Sequence, residues 1–430
     1  MAHKGHTIVG VDVNAEFVRA IQEGRPPVKE PQLAEMITAN RERLSATVDY
    51  EEAVLKTDVT FIIVPTPSEP DTGRFSLAYV LKAAESIGAA LRKKGWHLVV
   101  LSSTVMPGST GGSLLPALER HSGKKCGDGF GLCYNPEFIA LGSVVKDMLN
   151  PDMILIGESD ERSGKILEEL YTGVCESNPK IRRMNYVNAE LTKLSVNTYV
   201  TTKISYANML AQVCETLPGA DVDVITAAIG CDTRIGTKYL KGALGYGGPC
   251  FPRDNRAFSA LARDNNAPAL LAEATDALNS RQVPRIAEQI LSRLPKGGTA
   301  GVMGLSYKPY TEVIEQSQGI AIAQMLIDAG ADVIVYDPEA MNNARRELKG
   351  NVRFAASAGE CVRASSVLAI TTPWPEFARI SAEDVRSTVA VVDCWRMLSP
   401  DARECVAEYF VMGKGWSAGA RAPQMAAQAD

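Results

Sequence analysis

The chain has 430 residues, of which 46% are hydrophobic and 22% are charged, and its formal net charge is -5. These values are typical of a globular protein, and the length predicts two or three domains. The acidic balance argues against a nucleic-acid-binding surface. No apolar run is long enough to span a membrane. The opening residues lack the pattern of a signal peptide, since their charges lead directly into a strand-like run.

Cysteine and histidine usage narrows the chemistry further. The 9 cysteines are scattered, odd in number and form no C-x-x-C pair, which predicts reduced thiols in a cytoplasmic protein. The 4 histidines all lie at or before His121. A histidine-rich metal site is therefore not expected, and we predict no metal.

Short apolar runs alternate with helical stretches in the first part of the chain. Their near-continuous Val and Ile content is typical of parallel strands covered on both faces, so residues 1–160 are predicted to form a doubly wound α/β domain. The predicted strands are "TIVGVD" (7–12), "VTFIIVP" (59–65), "HLVVLSS" (97–103), "GLCYN" (131–135) and "MILIG" (153–157).

A helical region and a second α/β region follow. Residues 161–295 are predicted to be almost entirely helical, with long helices over 188–217 and 268–294, and "PKGG" marks the boundary. The α/β rhythm returns over 296–412, and residues 413–430 are predicted to be a disordered tail. The predicted helix and strands of this second α/β domain lie at 300–308, 318–329, 331–338, 366–374 and 388–395. The fold class is thus α/β, with two Rossmann-like parallel sheets joined by an all-helical domain.

Asp12 ends the first predicted strand, where an acid of a nucleotide-binding sheet hydrogen-bonds the adenosine ribose of NAD. An acid there also commonly caps a helix, so two interpretations stand. The glycine turn G-x-G-x-x-G, expected about 20 residues earlier, does not precede it. The opening "MAHKGH" is similar to the end of a first Rossmann helix. We expect a start codon assigned too late rather than a shortened protein, because a sheet without its central strand exposes unpaired backbone.

The segment "GALGYGGPCFPRDN" places Cys250 between a glycine pair and a proline-containing run. Gly247 and Gly248 permit a tight backbone path, and Pro252 suits the first turn of a helix. Cys250 would then lie at a helix N-terminus, where backbone N–H groups favour the thiolate. Asp254, four residues on, projects from the same face. The sequence leaves Cys250 open as a nucleophile or as a buried structural thiol.

Lys193 and Asn197 are four residues apart in the first long predicted helix, with Glu190 one turn earlier. Residues at this spacing share one helix face. A lysine and an amide on one face can stabilise an oxyanion, or they can form an ordinary solvated surface.

Three polar residues follow predicted strands. Glu137 comes after "GLCYN", at the carboxyl end where α/β sheets place ligands, and it could act as a base for water or as a simple surface acid. Thr104 and Thr66 also follow strands, where they could position a phosphate or a water. Turn chemistry explains both threonines equally well.

These segments together resemble the UDP-glucose/GDP-mannose dehydrogenase family over nearly the whole chain. The matching motifs are "GHTIVGVDVN", "VPTP", "SSTVMPG", "NPEFIALGSVVKDMLNPD", "KLSVNTYVTTKISYAN", "RIGTKYLKGALGYGGPCFPRD", "GLSYKPYTE" and "VYDP". The resemblance implies a four-electron oxidation, in which the primary alcohol of a nucleotide sugar becomes a carboxylate while two NAD are reduced and water is consumed.

The resemblance also implies roles for the candidate residues. Cys250 matches the nucleophile that forms a thiohemiacetal and then a thioester. Lys193 and Asn197 match the pair that holds the oxyanion, and Asp254 matches an acid that orients water or acts as a base. Glu137 matches the residue that assists thioester hydrolysis.

NAD contacts are implied for four positions. Thr104 matches a threonine near the nicotinamide and the catalytic water, so it is expected in both the catalytic and the cofactor site. Asp12, Thr66 and Arg253 are the other positions expected at the cofactor.

The implied substrate is a small-molecule nucleotide sugar, with Arg234 reaching a neighbouring subunit's site in a homodimer or higher oligomer. "GGPCFPRDN" is closer to the UDP-glucose branch of the family, so UDP-glucose is predicted, with GDP-mannose or another UDP-hexose as the alternative. An inactive nucleotide-sugar-binding subunit is the alternative from another class. The implied substrate contacts are Glu137, Phe138, Ile139, Ala140, Lys193, Asn197, Arg234, Tyr239, Leu240, Lys241, Gly242, Ala243, Gly247 and Lys308.

Overall fold

The structure is a computed structural model that describes residues 1–385 and 390–415. The chain separates into two compact units. Unit 1 comprises residues 1–196 and 256–267, and unit 2 comprises residues 197–255 and 268 onward. The domain boundaries predicted at residues 160 and 295 remain predictions, because the division into two units follows other positions.

The helices and strands have the following bounds. The strands are β1 (Ile8–Val11), β2 (Leu44–Thr47), β3 (Val59–Ile62), β4 (Leu98–Leu101), β5 (Gly131–Tyr134), β6 (Met153–Glu158), β7 (Lys180–Met184), β8 (Thr299–Met303), β9 (Asp332–Tyr336), β10 (Val352–Phe354), β11 (Val367–Ile370), β12 (Ala390–Asp393) and β13 (Glu408–Val411). The helices are α1 (Ala15–Gln22), α2 (Leu33–Ala39), α3 (Tyr50–Lys56), α4 (Ala78–Leu91), α5 (Leu115–Ser122), α6 (Val144–Leu149), α7 (Glu161–Val174), α8 (Tyr186–Thr216), α9 (Val222–Gly230), α10 (Phe251–Asp264), α11 (Leu270–Ser280), α12 (Gln282–Leu291), α13 (Gln318–Asp328), α14 (Met341–Glu347), α15 (Ala358–Ala364) and α16 (Pro400–Glu404).

Unit 1 contains two sheets. Strands β1 and β2 form a parallel pair, and a second sheet has the order β3-β4-β5-β6-β7. Among the described residues, no strand pairs with the second edge of β1 or with the edge of β3 opposite β4. The expected single sheet is therefore divided in two.

The sheet of unit 2 has the order β10-β9-β8-β11-β12-β13, and every neighbouring pair is parallel. Alternate residues of its strands enter two different clusters of buried side chains: Val302 and Val335 enter one, and Met303 and Ile334 enter the other. Since successive side chains of a strand point to opposite faces, both faces of this sheet are covered. The predicted doubly wound α/β arrangement is confirmed here.

Three local predictions were wrong. Residues 180–184 form strand β7 at a sheet edge within the region predicted as helical, and three of its five residues carry charge, which suits an edge strand. Strands β5 and β6, predicted as parallel, pair antiparallel. The predicted helix over 268–294 is two helices that meet at Arg281. Pro284 lacks an N–H and its ring would clash with the carbonyl of Ser280 in a continuous helix, which accounts for the break.

Two predicted segments reach beyond the described residues. The first two residues of the strand predicted at 388–395 lie outside them, and so do residues 416–430 of the predicted tail. Of that tail, Gly413 donates its N–H to Glu215 at 2.8 Å and Lys414 pairs with Asp221 at 2.6 Å.

His97 is a buried histidine at the start of β4. Its side chain is fully buried, and Nε2 lies 2.8 Å from the hydroxyl of Thr60. Burial, with a smaller effect of Lys94, lowers the pKa of His97 from 6.5 to about 4. Because the folded state resists protonation of this ring, stability is lost as the pH falls from 6.5 towards 4.

We predict that His97→Gln weakens this pH dependence. Between pH 7 and pH 5 the variant should lose about 2 kcal/mol less unfolding free energy than the parent, because glutamine does not titrate there. Urea unfolding at both pH values measures this difference. The exposed His3 gives a matched control, His3→Gln, which should keep the parental dependence. Equal pH slopes for His97→Gln and the parent would contradict the prediction.

Candidate active site

The segment that carries Glu137 leaves the carboxyl end of β5 in a fixed position. Asn135 is buried there, donates from Nδ2 to the carbonyl of Leu155 at 2.9 Å, and accepts the hydroxyl of Tyr171 at 2.5 Å. Further along, the N–H of Ala140 donates to Asp147 at 3.0 Å. These bonds hold both ends of the predicted substrate segment 137–140 within unit 1.

Lys193 lies against this segment. Its Nζ donates to the carbonyl of Glu137 at 2.6 Å and lies 4.6 Å from the ring centroid of Phe138. The lysine is buried and its segment partners are half-buried, so the solvated-face interpretation does not hold for Lys193. Ile139 and Ala140 continue the same half-buried run. The structure thus brings together the predicted residues of unit 1 that come from β5 and α8.

The carboxyl group of Glu137 is in an environment that favours its protonated form. Burial raises the pKa of Glu137, and the nearby charge of Lys193 lowers it by less. A carboxyl group with a raised pKa is a stronger proton acceptor at neutral pH than an ordinary glutamate. The role of Glu137 as a base for water stays a prediction, and the raised pKa is compatible with it.

Glu190, one turn before Lys193, makes structural hydrogen bonds to the backbone of a loop. It is fully buried, and its two carboxylate oxygens accept the N–H groups of Gly108 at 2.6 Å and Thr110 at 2.7 Å. Burial raises the pKa of Glu190, while the bonds from these two residues lower it. The acid fixes the loop after β4, which also carries Thr104.

Thr66 and Thr104 meet in unit 1. The buried hydroxyl of Thr66 donates to the carbonyl of Thr104 at 2.7 Å. This bond joins the loops after β3 and β4, at the carboxyl end of the sheet where α/β proteins bind ligands.

Cys250 is an exposed thiol directly before α10. Its carbonyl accepts the N–H of Asp254 at 2.8 Å, the first hydrogen bond of the helix. The prediction of a cysteine at a helix N-terminus is confirmed, and the buried-thiol interpretation is wrong. Backbone N–H groups at this position stabilise a thiolate.

The glycine pair before Cys250 has no room for side chains. A Cβ on Gly247 would lie 2.3 Å from the carbonyl oxygen of Gln316, and one on Gly248 would lie 2.5 Å from the ring of Tyr307. Gly248 also has φ +82, which favours glycine. The close approach of this backbone to its neighbours explains the glycines.

Asn197 and Asp254 form a buried pair in unit 2. Nδ2 of Asn197 donates to Oδ2 of Asp254 at 2.6 Å, while the guanidinium of Arg253 contacts Oδ1 at 2.9 Å. Asp254 is fully buried and Asn197 nearly so. The pair joins the residue predicted to hold an oxyanion to the acid predicted beside the nucleophile.

The predicted sugar-nucleotide loop of unit 2 is partly buried and partly exposed. Leu240, Gly242 and Ala243 are buried, and the N–H of Ala243 donates to Asn208 at 2.9 Å. Lys241 is exposed. The buried residues fix the backbone of the loop.

Other predicted substrate contacts differ in their surroundings. Tyr239, half exposed with φ +64, packs edge-on against Phe251 with ring centroids 6.2 Å apart. Arg234 is exposed and pairs with Asp232 at 2.6 Å, which is a local contact within its turn. Lys308 has its Nζ 5.9 Å from the ring centroid of Tyr307.

The carboxyl ends of β1 and β3 suit the adenosine end of a dinucleotide. Asp12 follows β1 and accepts the N–H of Asn14 at 2.7 Å, so it caps the local turn and presents a carboxylate at the strand end. Val13 and Ile63, beside these ends, are 80% and 71% exposed. The carboxylate of Asp12 fits the ribose contact of NAD, and Val13 and Ile63 each leave apolar surface exposed beside a strand end.

Neither a membrane-spanning helix nor a metal-binding cluster occurs in the part of the chain that the structure describes. No helix at 1–385 or 390–415 is both long and apolar enough to cross a membrane. The same residues contain no cluster of three or more His, Cys, Asp or Glu side chains arranged to hold a metal ion.

Three domains of one protein family match consecutive parts of the chain. Residues 1–175 match the NAD binding domain of the UDP-glucose/GDP-mannose dehydrogenase family, residues 187–281 its central domain, and residues 301–400 its UDP binding domain. The chain belongs to the UDP-glucose/GDP-mannose dehydrogenase family. The resemblance drawn from the motifs is confirmed: the protein is an NAD-dependent dehydrogenase with a small-molecule nucleotide-sugar substrate.

Individual relatives within this family are similar over most of their length. UDP-glucose 6-dehydrogenase AglM of Haloferax volcanii is 38% identical over 93% of each chain. GDP-mannose 6-dehydrogenase of Pseudomonas aeruginosa is 33% identical over 78% of this chain and 77% of its own. The structure of a UDP-glucose dehydrogenase from Pyrobaculum islandicum superimposes with a TM-score of 0.87 at 36% identity, covering 96% of this chain and 93% of the other.

Two residues that support this dehydrogenase's site, Glu30 and Tyr171, lie outside the motifs quoted from the sequence. Glu30 accepts the N–H groups of Gly142 and Val144, both at 2.8 Å, although more than 100 residues separate it from them. Asn135 lies inside a quoted motif, but its partner Tyr171 does not. The signal that marks Asn135 in the sequence is a polar residue at the end of an apolar run.

We predict that Glu190→Gln destabilises the protein. One carboxylate oxygen becomes an NH₂ group facing a backbone N–H, which leaves a buried donor unsatisfied and should cost about 1–3 kcal/mol of unfolding free energy. Urea unfolding measures the loss. The exposed Glu35 provides the matched control, Glu35→Gln, for which we expect a change below about 0.5 kcal/mol. A Glu190→Gln variant as stable as this control would contradict the role given to Glu190.

Proposed function

We propose that this chain oxidises UDP-glucose to UDP-glucuronate in two NAD-dependent steps through a thioester on Cys250. The observation that carries the proposal is the exposed Cys250 thiol at the N-terminus of α10, with the buried pair of Asp254 and Asn197 behind it. Relatives named UDP-glucose 6-dehydrogenase, at 38% and 34% identity, support the choice of sugar nucleotide.

The first oxidation converts the primary alcohol of the glucose unit into an aldehyde. NAD, when bound, accepts the hydride that each oxidation releases. Cys250 then adds as a thiolate to the aldehyde carbon, forming a C–S bond and an oxyanion. An amide nitrogen carries two hydrogens, so Asn197 can donate one to Asp254 and the other to this oxyanion.

The second oxidation turns the thiohemiacetal into a thioester, which water must hydrolyse. Glu137 accepts a proton from the attacking water, in keeping with its raised pKa. The C–S bond breaks and Cys250 leaves as a thiolate. One alcohol, two NAD and one water give one carboxylate, two NADH and three protons. Thiolate chemistry of this kind needs no histidine near the nucleophile.

We predict that Cys250→Ser abolishes the formation of UDP-glucuronate. The parent should give two NADH for each UDP-glucose, whereas the serine variant should form little or no acid because its hydroxyl is a far weaker nucleophile than a thiolate. NADH absorbance and chromatography of the sugar nucleotide measure both quantities. The exposed Cys231 supplies the matched control, Cys231→Ser, which should keep the parental stoichiometry.

A panel of UDP- and GDP-sugars completes this experiment. Full acid production by Cys250→Ser would overturn the thioester route. Turnover of GDP-mannose in preference to UDP-glucose would overturn the substrate, and absence of NADH with every sugar would support an inactive nucleotide-sugar-binding subunit.

The proposal includes a homodimer formed through α8, in a cytoplasmic protein. Tyr199, Tyr206 and Val213 recur every seven residues and are 62%, 46% and 48% exposed, with Met209 at 39% between them. A seven-residue repeat of exposed apolar side chains is typical of a helix that packs against a second helix. The in-trans role of Arg234, which is 87% exposed, depends on this dimer.

We predict that Tyr199→Glu with Tyr206→Glu separates the dimer, because the carboxylates would be buried against the partner helix. Light scattering after size exclusion should give the mass of two chains for the parent and of one for the variant. Tyr79→Glu, at a tyrosine 54% exposed on α4, should leave the mass unchanged. A parental mass of one chain, or a variant that stays dimeric, would contradict the prediction.

A further inference from the structure

A buried carboxylate in unit 2 is tied to the loop between β8 and α13. Asp337 follows β9 and is 1% exposed. Its Oδ2 accepts the N–H of Leu305 at 2.7 Å, the N–H and hydroxyl of Ser306 at 2.9 and 3.0 Å, and the indole N–H of Trp374 at 3.1 Å. Four donors on one oxygen make this carboxylate the anchor of the start of the loop.

The other carboxylate oxygen fixes Asp337 itself. Oδ1 accepts the N–H groups of Glu339 at 2.9 Å and Ala340 at 2.8 Å. The charge of a buried carboxylate is stabilised by hydrogen bonds of this kind, and the carboxylate in turn orders the backbone that donates to it. The position of the anchor is thus set by the chain that follows β9.

The loop at 304–317, which we call the brace loop, receives further bonds from residues after β11. The hydroxyl of Thr372 donates to the carbonyl of Ser306 at 2.7 Å, and that of Thr371 donates to the carbonyl of Gly304 at 2.5 Å. The indole N–H of Trp374 also contacts the hydroxyl of Ser306 at 3.1 Å. The first three residues of the brace loop are therefore held by residues that follow β9 and by residues that follow β11.

The brace loop continues from these anchored residues to the backbone just before Cys250. Tyr307, next to Ser306, lies with its ring against Gly248, where an added Cβ would come within 2.5 Å of it. The carbonyl of Glu315 accepts the N–H of Gly248 at 3.0 Å. Gly248 is thus held on two sides by one loop, two residues before the thiol.

Two non-glycine residues of the brace loop are in the left-handed region. Tyr310 has φ +64 and Gln316 has φ +52. Such backbone conformations cost free energy and persist where the surrounding contacts determine them. Tyr310 lies between the anchor at Ser306 and the contact of Glu315 with Gly248, and Gln316 directly follows Glu315.

We propose that Asp337 is a positioning residue for Cys250, acting through Ser306, Tyr307 and Gly248. It holds the brace loop, the brace loop holds Gly248, and Gly248 sets the approach of Cys250 to the N-terminus of α10. The proposal extends the proposed function in that it takes Cys250 as the reacting thiol. Loss of the anchor should move the thiol out of reach of the backbone N–H groups that favour the thiolate.

The experiment follows alkylation of Cys250 by iodoacetamide as a function of pH in Asp337→Asn, using the full chain. Peptide mass spectrometry gives the rate at Cys250 relative to the rate at Cys231, an exposed thiol of unit 2 that serves as an internal reference. At pH 7 we expect this ratio to fall about three- to tenfold, with the midpoint of the Cys250 profile moved to higher pH.

Asp332→Asn is the matched control. Asp332 is the first residue of β9, at the end of the strand opposite Asp337, and it pairs with Arg353. It should keep the parental ratio and midpoint. If Asp337→Asn does not fold, Tyr307→Ala and Tyr307→Phe replace it: alanine should reproduce the fall and phenylalanine should prevent it, since the ring against Gly248 is retained. A folded Asp337→Asn, or a Tyr307→Ala, with the parental ratio and profile would overturn the proposal.

Alkylation requires neither NAD nor a sugar nucleotide. A shifted Cys250 profile in Asp337→Asn, together with a parent protein that forms no NADH from any sugar, would sustain the positioning role and reject the proposed function. A parental profile in an active enzyme would do the reverse.

Discussion

The site of unit 2 depends on the hydrogen bond between Asn197 and Asp254. At 2.6 Å it joins α8 to the first turn of α10, with a carboxylate that is fully buried. A buried carboxylate without partners is strongly destabilising, and Asp254 has two polar partners in the amide of Asn197 and the guanidinium of Arg253. The same contacts fix the start of α10, and Cys250 takes its position from that helix.

Buried or half-buried acids that accept backbone N–H groups recur through the molecule. Glu190 fixes the loop after β4, Glu30 fixes the segment after Glu137, and Asp337 fixes the brace loop. Each acid supplies the acceptors that a loop lacks once it leaves a sheet or helix. These hydrogen bonds restrict the backbone of loops that carry predicted site residues, and catalysis requires such residues to be held in position.

The α/β character, the long helix α8 and most strands could be predicted because hydrophobic period and composition are local properties. Strand β7 and the division of the first sheet could not be predicted from these local properties. A charged edge strand such as 180–184 has no apolar run to mark it, and its pairing with β6 is a tertiary choice. The antiparallel pairing of β5 and β6 is likewise decided by the path of the chain between them.

The family could be predicted from motifs, because their order and spacing are fixed along the covalent chain. The position of Cys250 before a helix could be predicted because glycines and prolines restrict the backbone locally. Which acids accept backbone N–H groups and which pair with side chains depends on contacts between segments that are distant along the chain. Glu190 and Lys193 lie on neighbouring turns of one helix, yet one binds a loop N–H and the other a carbonyl. In the sequence, Asp337 does not differ from any other acid that follows a predicted strand. Its six hydrogen bonds arise because distant segments converge on it, and spacing along the chain does not encode that convergence.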